Sequence, residues 1–394
     1  MTAADLLRSR LLTGRRRALM FGAGGMFLLG VGAFTALDQV YESYLIAYIL
    51  WTGLALGCLG ILLLHHLVSG AWGHIIQRIV EAGARTLPFM AILFLPVIAG
   101  MGSLYPWTDH GFAEASHVVH KKLAYLNTPF FLARAGLFFL FWSLVAYWLS
   151  GTSQRQDQSG DVALTRRMKI VSGPSLIAFV LTVTLASVDW MMSLEPEWYS
   201  TIYGMLTVVG MVLTALSFSI VVLRRLSNEP PFAGMLTTRH YHHLGNMLFA
   251  FTVLWAYMSF SQFLIIWSGN LPEDNFWYIK RLGTEWNAIA LFLTVGHFFV
   301  PFILLLSRRR KRYIDSLARV AALVFVMRLV DYFWVMAPAF GREGFPVTWT
   351  DFVAPVGIGG IWLGIFLWQL GTRPLVPTRD PRFTENGFHV HDVE

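Results

Sequence analysis

Seven ionisable side chains lie inside otherwise apolar stretches of this chain: His65, His66, Arg134, Asp189, His297, Arg328 and Asp331. A charge at the centre of a spanning helix costs about 2.5–3.5 kcal/mol on insertion scales, so each is a candidate for function or for a buried ion pair. Hydroxyls accompany them. Ser175, Thr182 and Asp189 stand seven residues apart in one run; Ser200, Tyr203, Thr207, Gly210, Thr214 and Ser217 share a helical face in the next. Asn287, Ala290, Thr294, His297 and Pro301 repeat the pattern further on, and Pro301 has no N–H to offer the carbonyl of His297. Hydroxyls donate and accept, so such faces can order water. An imidazole with an ordinary pKa of about 6.5 loads and unloads near neutrality. The chemistry this suits is a proton path between His66, His297 and Asp189, with water filling gaps of about 10 Å.

Other uses compete for the same residues. Small and hydroxylated side chains also line helix faces because they let backbones approach and bond across. Arg328 and Asp331, three apart, suit a structural ion pair. Arg134, near a helix end, suits snorkelling or holding a carboxylate. His65 and His66 face different directions, so at most one joins a given interior. A bis-histidine haem would need His66 and His297 to face each other. A quinone site would need a hydrogen-bonding pair beside an apolar groove, which a sequence does not display.

These residues require a particular scaffold. Of 394 residues, 56% are hydrophobic and only 13% charged, with a mean hydropathy of +0.56. Ten apolar runs approach or exceed the roughly 20 residues that cross a bilayer core of about 30 Å: 18–37, 45–68, 86–105, 128–149, 170–190, 201–223, 243–268, 285–306, 317–337 and 350–371. Backbone groups in lipid must bond within their own segment, which makes runs of this length helices. The expected fold class is an all-α polytopic membrane protein with ten transmembrane helices. It forms one membrane domain, 1–371, with an extended polar tail over 372–394. The longest loops are expected at 106–127, 150–169 and 224–242. Pro374, Pro377 and Pro381 suggest that the tail lies on a neighbouring subunit. Gly53/Gly57 and Gly360/Gly364 are close-packing points, against another subunit or within the chain. No internal repeat or pair of broken helices in matching halves points to solute transport.

Charge sets the orientation. Arg8, Arg10, Arg15–Arg17, Arg78, Arg85, Arg155, Arg166, Arg167, Lys169, Arg224, Arg225, Arg239, Arg308–Arg312, Arg373, Arg379 and Arg382 fall on one side, and Lys121, Lys122, Lys280, Arg281 and Arg342 on the other. This bias predicts that both termini are cytoplasmic. It also accounts for the net charge of +7 through anionic headgroups, so membrane lipids are the implied partner and no nucleic acid is needed. Trp107, Trp190, Trp198, Trp277 and Trp349 are placed as an interfacial belt would be. The run after Arg15–Arg17 is too long for a cleaved signal and reads as an uncleaved first helix. Cys58 is the one cysteine, which excludes an internal disulfide or an iron–sulfur cluster held by this chain alone.

Three strings carry a resemblance. They are Ala186-Ser-Val-Asp-Trp-Met-Met-Ser-Leu-Glu-Pro-Glu-Trp-Tyr-Ser-Thr-Ile-Tyr-Gly204, the stretch Leu244–Glu273 beginning Leu-Gly-Asn-Met-Leu-Phe-Ala-Phe, and His297-Phe-Phe-Val-Pro-Phe-Ile-Leu-Leu-Leu-Ser-Arg-Arg309. With the ten-run layout, they make nearly the whole chain similar to the F subunits of alternative complex III, a bacterial quinol:electron-acceptor oxidoreductase. Those subunits resemble the wider NrfD/PsrC family of membrane anchors. The resemblance implies two four-helix bundles, helices 2–5 and 6–9, with helices 1 and 10 alongside. It implies a cofactor-free subunit that conducts protons, or one that binds quinol itself, or a scaffold for the paralogous C membrane subunit. The implied partners are that C subunit, an iron–sulfur subunit, c-type haem subunits and small membrane subunits. Haem c and iron–sulfur clusters would then belong to the partners, in keeping with the lack of Cys-x-x-Cys-His here. Arg134, Arg328 and Asp331 join the proton-path candidates.

Overall fold

The computed structural model describes residues 3–282, 285–341, 347–377, 379–380 and 382, with side chains from residue 7 onward. Arg342 and the tail beyond 382 lie outside the described residues. Within them, all regular structure is helical. Ten long helices follow in chain order: α1 (Ala3–Ala33), α2 (Leu37–Val68), α3 (Ala71–Ala99), α4 (Thr128–Ser159), α5 (Val162–Trp190), α6 (Tyr203–Leu226), α7 (Thr238–Gly269), α8 (Trp286–Leu306), α9 (Ile314–Met336) and α10 (Thr350–Leu370). Among the described residues, nine helices are long and apolar enough to cross a bilayer; α1, diluted by arginine and glycine, is not among them. Exposed leucine and isoleucine run in bands at helical spacing, as in Leu137, Leu140 and Leu144 of α4 and Ile170, Ile177 and Leu181 of α5. Water would penalise such bands, whereas lipid accepts them. The chain is a polytopic helical membrane protein.

Two boundaries differ from expectation in ways that matter. The third span was expected at 86–105, yet its helix begins at Ala71 and is interrupted near Arg85–Thr86 and Leu93–Phe94, next to Pro88 and Pro96, which lack the N–H a helix needs. Arg78, assigned to a loop by its charge, is therefore a buried helical residue. The expected 150–169 loop is also helix. Gly160, at φ 68°, ends α4, and the Asp161 carboxylate accepts from the Ala163 N–H at 2.8 Å to start α5. With 32 residues, α4 is about 48 Å long and outruns the hydrocarbon layer.

The connections gather at two ends. Arg10–Glu229, Arg224–Asp315, Arg373–Glu81 at 3.5 Å and Arg382–Ser69 at 3.0 Å tie together one end, rich in arginine. Ser103–Asp38, Lys122–Pro196, Ser116–Glu197 and Arg281–Glu195 tie together the other. Between them α2 is almost wholly buried, packed by α3, α5, α6 and α10. α1 lies along α10 in backbone contact, where a Cβ on Gly360 would meet the Gly22 nitrogen at 2.4 Å. Gly364 receives Leu19, and Gly57 sits against the Met211 carbonyl. Both glycine spacings are thus spent within the chain. Of the five belt tryptophans only Trp349 is exposed; Trp107, Trp190, Trp198 and Trp277 are buried, filling interior space instead.

Candidate functional site

Two buried arginine–aspartate pairs lie toward the end opposite the arginine-rich one. The first joins α4 to α5. Arg134 donates from Nε to Asp189 Oδ2 at 2.8 Å and from Nη2 to Oδ1 at 2.9 Å, while Nη1 donates to the Tyr125 carbonyl at 3.0 Å. Its guanidinium lies 3.8 Å from the Tyr125 ring centroid and 4.3 Å from that of Phe130. Beside the pair, Trp190 packs with Phe94, Phe139 and Trp142 at centroid distances of 5.1, 5.6 and 5.9 Å. Both oxygens of Asp189 are engaged by Arg134, and its side chain is fully buried.

The second pair has space beside it. A chamber of about 700 Å³, open on one flank, is lined by α6, α7, α8 and α9, with Trp277, Tyr278 and Leu282 of the helix Pro272–Leu282 forming its roof. Arg328, paired with Asp331, is set in the wall, and its Nε donates to Thr214 Oγ1 at 3.3 Å. Gly210 makes this possible: a Cβ there would lie 2.3 Å from Arg328 Nη2. Arg328 also lies 4.6 Å from the centroid of Tyr332, whose buried hydroxyl is directed at Gly53 of α2. Tyr203, Thr207 and Gln262 add polar atoms; Gln262 Nε2 donates to Tyr278 Oη at 3.4 Å and its Oε1 accepts from Ser200 at 3.3 Å. Most of the remaining wall is apolar or aromatic. Such a space suits an amphiphile whose ring oxygens meet a cationic donor and a carboxylate acceptor while its body stays in apolar surroundings.

The roof is held from outside the spans. Arg281 donates to Glu195 Oε2 and to the Val335 carbonyl, both at 2.7 Å, and lies 3.6 Å from the Trp277 ring centroid. Burial pulls the Arg281 guanidinium below its ordinary pKa, opposed by the Glu195 carboxylate beside it. Trp277 stacks on Trp198 at 4.7 Å.

α8 passes the chamber through one π turn, Thr294–Phe299, in which the Val300 N–H bonds back to the Val295 carbonyl. Pro301 follows immediately and cannot donate to the His297 carbonyl, so the α-helical ladder is interrupted where the sequence placed the break. His297 is fully buried, its ring 3.9 Å from that of Trp255, and neither nitrogen has a hydrogen-bond partner.

A third cluster sits at the arginine-rich end. His65 lies 5.3 Å from His66 and 4.6 Å from His74 between ring centroids. Gln77 Nε2 donates to Glu81 and to Ser153 at 3.0 Å, and Arg78 donates to Glu81 at 2.6 Å and Ser153 at 2.9 Å while pairing with Asp157. The tail returns onto it, so its described part lies on this chain rather than on a neighbour. Asp380 is 3.8 Å from His74 Nε2 and accepts from Arg382 at 3.0 and 2.6 Å. Burial alone would raise the Asp380 carboxyl, but Arg382 outweighs it and holds the pKa below the ordinary aspartate value.

The expected proton-path residues therefore separate. Tyr203, Thr207, Arg328 and Asp331 meet at the chamber, and Thr214 adjoins it through Arg328. Arg134 and Asp189 are locked together elsewhere, and His66 belongs to the histidine cluster. Thr182 accepts from Trp142 Nε1 at 2.9 Å and bonds to its own helix; Thr207 and Thr214 also donate to carbonyls one turn back. Ser175 is buried on α5. His66 and His297, the histidines a haem would need, stand in separate clusters. No group of histidine, cysteine or acidic residues among those described is arranged to hold a metal. Sequence reasoning missed Tyr332, Gln262 and Tyr278, and the entire set His74, Gln77, Arg78 and Glu81. One signal was available: Arg328, Asp331, Tyr332 and Val335 fall at i, i+3, i+4 and i+7, a single face of α9. Compared with known proteins, the chain matches no family model and no curated sequence.

Proposed function

We propose that this chain is the quinol-binding membrane subunit of a bacterial alternative complex III-like oxidoreductase, with an NrfD/PsrC-like arrangement of helices 2–5 and 6–9 and both termini in the cytoplasm. The observation that carries this reading is the chamber in α6–α9: an apolar space of about 700 Å³ with one arginine–aspartate pair in its wall. A quinol is a flat ring with two oxygens on an apolar body. Arg328 can donate to one oxygen and Asp331 can accept from a hydroxyl. Electrons from the bound quinol would pass to iron–sulfur or haem groups of partner subunits. The paralogous C subunit, the iron–sulfur subunit, the c-type haem subunits and small membrane subunits are the proposed neighbours. Binding of a naphthoquinone to the purified complex, compared between wild type and Asp331→Asn, tests it. The variant should bind at least about tenfold more weakly, a difference of about 1.4 kcal/mol. Unchanged affinity would remove the chamber from the account.

A second reading, proton conduction, is favoured by His65 and His66, which are fully buried beside the Gln77–Glu81 network. His66→Phe should then lower proton release per quinol while electron transfer continues. Full proton stoichiometry would make this cluster structural.

A further inference from the structure

The chamber has a side door. Its roof is sealed toward the aqueous end by Trp277 on Trp198 and by Arg281 bonded to both Glu195 and the Val335 carbonyl. Its flank is different. α7 packs along the part of α8 from the π turn through Val300–Leu306 but hardly touches the preceding turns, Trp286–Leu293, which lean instead on α9 and on the helix Pro272–Leu282. The π turn falls where the two helices part. Tyr257 and Phe260 of α7 and Thr294 and Phe299 of α8 line the chamber and are exposed. Exposed lining residues on both sides of the place where α7 and α8 part mark the thinnest part of the chamber wall, on a flank that faces lipid in a spanning bundle.

We propose that the gap between α7 and the first turns of α8 is a lateral portal through which the chamber is filled from the bilayer, and that a bound molecule leaves its prenyl chain lying in this gap. The inference rests on the quinol reading and narrows it to prenylated quinols. The charged pair sits at the inner end of the space and the opening lies among Tyr257, Phe260, Thr294 and Phe299, so head and chain have one orientation: ring oxygens toward Arg328 and Asp331, chain outward. Each methylene moved from water to an apolar groove contributes roughly 0.8 kcal/mol, but a chain already in lipid gains only packing, so the gap acts mainly on selectivity and entry.

The test uses the full chain within its membrane complex, reconstituted in lipid nanodiscs. Two probes are compared at equilibrium, a naphthoquinone with a four-unit prenyl chain and the same ring without one. Thr294→Trp and, separately, Ala290→Trp place a large side chain in the gap at positions that are not fully buried. In wild type the prenylated probe should bind more tightly. Both variants should abolish that advantage, weakening the prenylated probe more than the bare ring. Retention of the full advantage in both variants overturns the portal, as does equal weakening of both probes. Displacement of the prenylated probe by excess phospholipid also overturns it, assigning the gap to lipid. Failure of wild type to bind either probe is a different result, and removes the quinol reading itself.

Discussion

The helices α2–α5 and the helices α6–α9 each contribute a buried arginine–aspartate pair toward the same end of the protein, and surround it in opposite ways. In α2–α5, Arg134 grips Asp189 with two hydrogen bonds, lies close to Tyr125 and Phe130, and has the ring cluster of Phe94, Phe139, Trp142 and Trp190 packed beside the pair. In α6–α9, Arg328 and Asp331 pair within one helix and face an open chamber. A charge pair in a membrane helix is therefore not a functional signal by itself. What surrounds it decides: rings that fill the space make it a strut, while a lined space makes it a recognition element.

Removing the cations should separate the two pairs most strongly. Arg134→Ala strands Asp189 in a packed interior and should cost about 3–5 kcal/mol, read as a fall in thermal stability of the purified protein. Arg328→Ala should cost less, because the chamber can hydrate Asp331. Equal losses would mean that both pairs are struts. Filling the space is the next test. Gly210→Ala drives a methyl into the Arg328 guanidinium and should destabilise by about 1–3 kcal/mol while weakening quinone binding. Asp189→Asn, in protein that folds, should leave quinone affinity at the wild-type value.

The smallest expected effect concerns the tail, whose described part closes α2–α5 at their other end. Asp380 has a depressed pKa, so its contribution is complete above the ordinary aspartate value of about 3.9 and is lost only as pH falls through the lower folded value. Tail protection against proteolysis should be flat from neutral pH down to about 5 in this respect, and Asp380→Asn should lower it by about 1 kcal/mol at all those values.

Much of this scaffold is legible in the sequence, and the limits have physical causes. Apolar length alone marks nine of the spans, because lipid forces backbone groups to bond within each helix. The first half of α3 was hidden because Arg78, Glu81 and Arg85 resemble a charged loop; only long-range partners such as Ser153 and Asp157 make Arg78 a buried residue. Asp189 and Arg134 were each visible as unusual charges, but their pairing spans 55 residues and needed the packing of α4 on α5. Pro301 announced a break in α8, and the π turn is there. That the break lets α8 part from α7 and open a chamber depends on where both helices lean, which no local pattern encodes.

On the quinol reading, α6–α9 and not α2–α5 hold the ligand. Photolabelling the membrane complex with a naphthoquinone carrying a diazirine on its ring, followed by peptide mapping, tests this most directly. Labels should fall on α9 around Arg328–Val335 and on α6 around Tyr203–Thr207, and should disappear when unlabelled prenylated naphthoquinone is added in excess. Displaceable labels concentrated around Arg134 and Asp189, with α6 and α9 unmarked, would contradict the account.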